Sequence, residues 1–270
     1  MNSHSIKFTS YDGYPLEGSI QAAGDEKAAL LFVHGITSSR DELGFHSDYA
    51  DFFAQRGVSS LRFDYRYHGA YEHSLEQLSL CAIVNDIDAA FAALVANVLP
   101  TTKSFFVVGT SFGGGLAAYW ASLGRQKRIS KVFLNAPVIN YENDVLERNS
   151  LTSHAALTKK AASQLERHGY VKSSGIKFGR ALINELQYIN GIAALVTLGD
   201  RVVIFHGDED EDVPLSSSEQ YKSPKTTLKV VKGVGHGFGI DVDEDLTHPE
   251  TKRIHRSIYE SAFRIVQESL

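Results

Sequence analysis

Eight short runs rich in Val, Ile, Leu and Phe recur along the chain, at 6–10, 16–21, 29–34, 59–64, 104–109, 132–135, 202–206 and 227–231. Most are followed by a longer segment of helical period. That alternation predicts an α/β fold, in which a mostly parallel sheet of eight strands is covered by helices on both faces. Several of the runs, such as Ala-Ala-Leu-Leu-Phe-Val from Ala28, are continuously apolar, as strands buried on both faces must be. The first two flank Tyr11-Asp12-Gly13-Tyr14-Pro15, where Asp-Gly marks a hairpin, so the sheet is expected to begin antiparallel. Ile83, Ile87, Phe91, Leu94 and Val98 recur at spacings of three and four and predict a helix that Pro100 ends. Segments 111–123 and 250–268 read in the same way.

Between Asn140 and Leu198 the alternation fails. The segment is helical in propensity, clearest over 155–168 and 178–188, with no strand expected between those pieces. Over 141–195 it carries seven Lys or Arg against five Asp or Glu, whereas the whole chain has 27 against 32. A change of pattern and of charge together suggest an insertion. We therefore expect a core made of 1–139 and 199–270, with a small helical cap at 140–198.

Composition narrows the function classes. At 43% hydrophobic residues the chain can build a large core and is not a disordered one. Its one cysteine excludes a disulfide scaffold or a Cys-rich zinc module and suggests a reducing compartment. The acidic balance, with no long basic run, argues against nucleic acid as a partner. The first residues carry no apolar core of signal-peptide length, and no stretch approaches the roughly 20 apolar residues of a membrane span. A soluble, cytoplasmic protein without a membrane partner is the expectation, and a homodimer is left open.

The chemistry is concentrated at Gly109-Thr110-Ser111-Phe112-Gly113. This Gly-x-Ser-x-Gly follows an apolar strand and opens a helix rich in small residues, the context that a nucleophile elbow requires. An ordinary βα turn with a serine cap would read alike. The partners further along the chain argue against it. A serine needs a base, and the base needs a carboxylate to orient it. After the strand at 202–206 come Asp208, Asp210 and Asp212, of which Asp210 is the choice and the other two remain alternatives. The base is expected after the last strand, where Gly235-His236-Gly237 stands. The aspartate spacing also fits positions 1, 3 and 5 of a calcium loop, but Val213 stands where that loop needs Gly, so no metal is expected. An oxyanion hole needs two backbone N–H donors. Phe112, the residue after the serine, should supply one, and Ile36 in His34-Gly35-Ile36-Thr37 the other. His34 precedes the serine and more plausibly braces that loop than acts as base.

These motifs, with Arg62-Phe63-Asp64-Tyr65-Arg66-Tyr67-His68-Gly69 between them, resemble the α/β-hydrolases in kind and order. The branch they most resemble holds the cinnamoyl/feruloyl esterases and the serine-aminopeptidase-like, monoglyceride-lipase-like hydrolases. The resemblance implies the α/β-hydrolase fold with Ser111 as nucleophile, His236 as base, Asp210 as orienting acid, and Ile36 and Phe112 as oxyanion donors. It also implies a small-molecule ester as partner and no cofactor. Relatives usually read Arg-Gly-His-Gly-x-Ser after the Asp, whereas here Tyr67 replaces the Gly and Tyr71 the Ser. The reading is a serine carboxylesterase for short-chain or aromatic acyl esters. Its rivals are a thioesterase, acyltransferase or lipid lipase with the same triad, and a binding protein that has lost catalysis. Cys81 and Trp120 are expected in the core, while Phe45, Tyr67, Tyr71 and Tyr170 are candidates to line a pocket.

Overall fold

The computed structural model describes residues 2–24, 26–69, 75–125, 128–154, 156–241 and 243–270. Its order begins with strands β1 (Asn2–Thr9), β2 (Pro15–Ala22) and β3 (Ala28–Val33), helix α1 (Phe45–Ala54) and strand β4 (Val58–Asp64). Helix α2 (Leu80–Asn97), strand β5 (Ser104–Thr110), helix α3 (Ser111–Ser122) and strand β6 (Ile129–Asn135) follow. The next stretch holds β7 (Thr152–Ser153), β8 (Ala156–Leu157), α4 (Lys159–His168), β9 (Tyr170–Ser173), β10 (Ile176–Gly179), α5 (Arg180–Glu185) and α6 (Gly191–Leu198). Strand β11 (Val202–Gly207), helix α7 (Leu215–Tyr221), strand β12 (Thr227–Val231) and helix α8 (Pro249–Glu268) close the chain.

Eight strands form one sheet in the order β1-β2-β4-β3-β5-β6-β11-β12. The β1–β2 and β2–β4 pairings are antiparallel and the rest parallel, as the Asp-Gly hairpin and the apolar runs led us to expect. All six residues of β3 are buried, because helices cover both of its faces. One face packs α2 and α3 through Ile83, Phe91, Leu116 and Trp120. The other packs α1 and α8 through Tyr49, Phe53, Ile258 and Tyr259.

Helix α2 corrects one expectation. It is 18 residues long with a mean hydropathy of 1.5, long and apolar enough by length and composition to cross a membrane. In this fold Ile83, Ile87, Ala90, Phe91 and Leu94 are buried in the face that rests on the sheet. Ser79 caps the helix by accepting from the Ala82 N–H at 3.3 Å. Trp120 is buried in the core as expected, its Nε1–H donating to Asp88 at 3.2 Å. Cys81 is not: it lies exposed in the first turn of α2.

The stretch from Asn140 to Leu198 departs from the purely helical reading. Strands β9 and β10 pair as an antiparallel hairpin, and β7 and β8 make a shorter one. The turn of the first is Ser174-Gly175, both in the left-handed region (φ 47° and 78°), the conformation that a two-residue hairpin turn demands. Helix α4 begins only at Lys159, where Thr158 accepts from the Ala161 N–H at 3.2 Å. Val145, Leu151, Leu165, Phe178, Leu182 and Ile189 join the core on the α2–α3 face, so this stretch is packed onto the sheet domain. Glu185 fastens it further by accepting from the Ser79 hydroxyl at 2.9 Å and from the Leu80 and Cys81 N–H groups at the start of α2.

One contact positions the site directly. A Cβ at Gly113 would lie 2.1 Å from the His34 carbonyl oxygen and 2.9 Å from that of Val33. The first turn of α3 can therefore sit on the end of β3 only through a glycine. Both atoms are backbone and neither can move aside. Gly113→Ala is expected to lower stability by about 3 kcal/mol, read as a lower urea midpoint with an unchanged slope.

Candidate active site

Ser111 opens α3 directly after β5 with φ 52°, a left-handed conformation that non-glycine residues seldom adopt. The flanking glycines make the turn sterically feasible. A Cβ at Gly109 would come within 2.8 Å of both the Ala117 Cβ and the Gly114 Cα, and Gly113 faces the clash already described. The Ser111 carbonyl accepts from the Val138 N–H at 2.9 Å, tying the turn to the end of β6.

From this turn a hydrogen-bonded chain leads away. The Ser111 Oγ lies 2.8 Å from His236 Nε2, and His236 Nδ1 lies 2.8 Å from Asp210 Oδ2. A carboxylate only accepts, so Nδ1 carries the proton and Nε2 is left to accept from the serine hydroxyl. Asp210 Oδ1 accepts in turn from the Val213 N–H at 2.8 Å and the Asp212 N–H at 3.0 Å. Of the three aspartates, packing selects this one. Asp208 turns to Lys232 at 3.1 Å and the Gly233 N–H at 2.7 Å, and Asp212 is exposed. With both oxygens of Asp210 engaged by protein donors, the calcium-loop spacing gathers no ligand set. Among the described residues no cluster of His, Cys, Asp or Glu could hold a metal.

His206 belongs to the site, although the sequence reading passed over it. Buried under the acid loop, it has Nε2 2.8 Å from the Val213 carbonyl and 3.2 Å from Asp210 Oδ2, while Nδ1 meets the Ser218 hydroxyl at 2.7 Å. Its place as the last side chain of an apolar strand before Gly-Asp was the available signal. His46 braces the other side, with Nε2 2.8 Å from the Thr110 hydroxyl. Burial pushes its pKa down to about 3, so it stays neutral.

The electrostatics of the chain follow from these contacts. Burial alone would raise Asp210, but the hydrogen bonds from His206 and His236, the charge of His236 and the Val213 N–H bring it down to about 2. Burial works to lower His236, yet the hydrogen bond and charge of Asp210, with Asp212 and Glu42 beyond, raise it above its ordinary 6.5. Asp210 is thus ionised throughout the neutral range, and His236 is the group whose titration matters there.

The expected oxyanion donors flank the serine. Phe112 follows it at the start of α3, where the first N–H groups of a helix have no intrahelical partner. The Phe112 carbonyl accepts from Tyr141 Oη at 2.6 Å. The Gly35 loop lies against Ser111, since a Cβ at Gly35 would meet the Ser111 Cβ at 3.3 Å and its Oγ at 3.7 Å. Gly35 itself is not a free donor, because its N–H is given to Glu42 at 2.7 Å. That leaves the next N–H of the loop, that of Ile36, which has no hydrogen-bond partner among the described residues. His34 braces the loop as expected: buried, stacked on Tyr65 at 4.0 Å, with Nδ1 2.8 Å from the Gly35 carbonyl.

A cavity of about 1190 Å³ opens on the His236 side of the chain, bounded by residues 42, 43, 45, 110, 208–212, 235–241, 243, 244 and 246. Glu42, Glu209, Glu211, Asp212, Asp241, Asp243 and Glu244 are in its wall, with no Lys or Arg among the described residues. Of the candidate aromatics Phe45 lines it, and Tyr67 and Tyr170 do not. Tyr67 instead takes φ 63° at the position where relatives carry Gly, and packs edge-on against Tyr14 at 5.5 Å. Tyr71 lies outside the described residues.

Residues 24–177, more than half of the chain, match the family described as serine aminopeptidase, S33. The chain belongs to this family of α/β-hydrolases. The match includes the Gly35 loop and Ser111 and ends before Asp210 and His236. Structures of family-like hydrolases agree in fold. Est1E from Butyrivibrio proteoclasticus, with ferulic acid bound, superposes with a TM-score of 0.72 at 20% identity, covering 94% of this chain and 98% of its own. A putative hydrolase from Agrobacterium vitis S4 gives 0.69 at 21% identity, over 95% and 97% of the two chains. The esterase domain of a Rhodothermus marinus protein gives 0.66 at 18%, over 98% and 99%. No curated protein sequence gives a significant match. The protein is therefore a hydrolase of the S33 family, on the fold and in the branch that its motifs led us to expect.

Proposed function

We propose that the protein is a serine carboxylesterase that hydrolyses short-chain or aromatic acyl esters through Ser111, His236 and Asp210. The observation that carries this reading is the unbroken chain of two 2.8 Å contacts from the Ser111 Oγ through His236 to a buried carboxylate. Its nucleophile stands on a left-handed turn against the Gly35 loop, whose Ile36 N–H has no partner among the described residues. Ser111 attacks the ester carbonyl as its proton passes to His236 Nε2. The tetrahedral oxyanion is held by the Ile36 and Phe112 N–H groups. His236 then gives the proton to the leaving alcohol, and an acyl-enzyme remains. Water then attacks the acyl carbon as its proton passes to His236. The tetrahedral intermediate collapses by breaking the Ser111 Oγ–carbon bond, His236 returning the proton to Oγ as the acid leaves. Asp210 stays ionised and stabilises the imidazolium formed in each half. The aromatic acyl preference is supported by likeness to Est1E, described with ferulic acid bound. The acidic cavity beside His236 disfavours anionic acyl carriers and so weighs against the thioesterase reading.

The test is a panel of p-nitrophenyl esters from acetate to palmitate, plus a feruloyl ester, with Ser111→Ala as blank. Turnover of the short or feruloyl esters, lost in the mutant, is expected. No turnover above the blank would overturn the esterase reading.

A pH prediction follows from His236. Only neutral imidazole accepts the serine proton, and its pKa is raised, so protonation persists to higher pH than for a free histidine. The acid limb of kcat/KM is expected to have its midpoint above pH 6.5. Asp210, at about 2, adds no second limb in the neutral range. Stopped-flow or steady-state rates from about pH 4 to pH 9 would check it.

A further inference from the structure

The turn that carries Glu42 is strained and inward-facing, and the mechanism above makes no use of it. Glu42 and Leu43 stand consecutively at φ 47° and 51°. Two non-glycine residues in the left-handed region persist only where their surroundings over-determine them. The other charges of this loop are taken up by opposite charges: Arg40 pairs with Asp64 and Glu17 at 3.3 Å each, and Asp41 with Arg62. Glu42 alone is folded back beneath Gly35. Its Oε2 accepts the Gly35 N–H at 2.7 Å. Its Oε1 and the Ser111 Cβ would each lie 3.3 Å from a Gly35 Cβ, so Gly35 is sandwiched between the carboxylate and the nucleophile.

This arrangement sets the direction of a distant N–H. On the far side of Gly35, its carbonyl accepts from Tyr65 Oη at 3.0 Å and contacts His34 Nδ1 at 2.8 Å. That carbonyl shares a planar trans peptide with the Ile36 N–H, which must therefore point the opposite way. Glu42 fixes the peptide before Gly35 and Tyr65 the one after it. We propose that Glu42 is a positioning residue that anchors Gly35 through the peptide before it, so that the peptide after it, held by Tyr65, presents the Ile36 N–H to the oxyanion, and that Glu42 supplies a negative charge facing His236 beyond those of Asp210 and Asp212. The proposal rests on the serine-hydrolase reading. The groups facing His236 are Asp210 and Asp212 from the acid loop and Glu42 from this one; those facing Glu42 are His236, Tyr65 and Ser38.

Two substitutions separate the roles. Glu42→Ala leaves the Gly35 N–H unheld, and kcat is expected to fall about 100-fold with KM changed less than about threefold, the signature of a lost oxyanion donor. Inactivation of Ser111 by a fluorophosphonate should slow in parallel, because the phosphonyl oxygen occupies the same hole. Glu42→Gln keeps an oxygen for the Gly35 N–H, so kcat should fall less than about fivefold. The lost charge lowers the His236 pKa, so the acid limb of kcat/KM moves to lower pH. An Ala variant within about threefold of the parent in kcat, or a Gln variant with an unmoved acid limb, overturns the proposal. If the Ala variant does not fold by thermal melting, the acid limb of the Gln variant decides alone. Failure of the parent protein to label at Ser111 would instead sink the hydrolase reading, so the two failures are distinguishable.

Discussion

Ser111→Ala is expected to lower kcat for ester hydrolysis by about 10⁴-fold or more, because no other group can form the acyl-enzyme. The loss should be confined to chemistry. Among the described residues the hydroxyl bonds to His236 alone, and alanine is no worse suited than serine to the left-handed turn. The melting temperature should therefore stay within a few degrees of the parent, and substrate binding should survive. A variant retaining a tenth of the parent rate would mean that the hydrolysis proceeds elsewhere on the protein.

Asp210→Asn should be nearly as damaging, by about 10³ to 10⁴-fold in kcat, although it alters one atom. The reason is the tautomer. Asp210 Oδ1 is committed to the Asp212 and Val213 N–H groups, so an amide NH₂ would have to take the Oδ2 place facing His236 Nδ1. There it donates, which forces Nδ1 to accept and moves the ring proton to Nε2. His236 then faces Ser111 with a proton and cannot take another. Comparable rates for the Asn variant and the parent would show that the carboxylate is not the orienting group. The substitution also removes a pH-dependent stability contribution. The folded pKa of about 2 lies below the ordinary 3.8, so the charged Asp210 stabilises the fold above that value and ceases to as pH falls towards 2.

The parts of this account that could be read from the chain are those set by local pattern. Short runs rich in apolar residues, several of them continuously apolar, located the eight strands of the main sheet, and Asp-Gly located the antiparallel start. The glycines at 109 and 113 marked the sharp turn because close approach of backbone leaves a residue-level trace. The choice among Asp208, Asp210 and Asp212 is different in kind. It depends on which carboxylate the acid loop turns beneath His236, and a loop's turning is decided by His206, Ser218 and Val213 together. Glu42 left no pattern at all, since it enters the site through two left-handed residues that no periodicity announces. In the 140–198 stretch, the helical propensity of the flanking pieces masked a hairpin of four-residue strands. Ser174-Gly175 was the one local sign of it. Tyr67 was legible as a departure, and the packing of Tyr14 against its ring shows how a side chain is accommodated at a position that otherwise suits glycine.

The central claim is that Ser111 is a nucleophile activated by His236. Its most direct test is reaction of the intact protein with a fluorophosphonate, followed by peptide mass spectrometry. The account predicts one phosphonyl adduct per chain, on the peptide containing Ser111, and none in the Ser111→Ala variant. An unlabelled protein, or an adduct that persists in that variant, would contradict it.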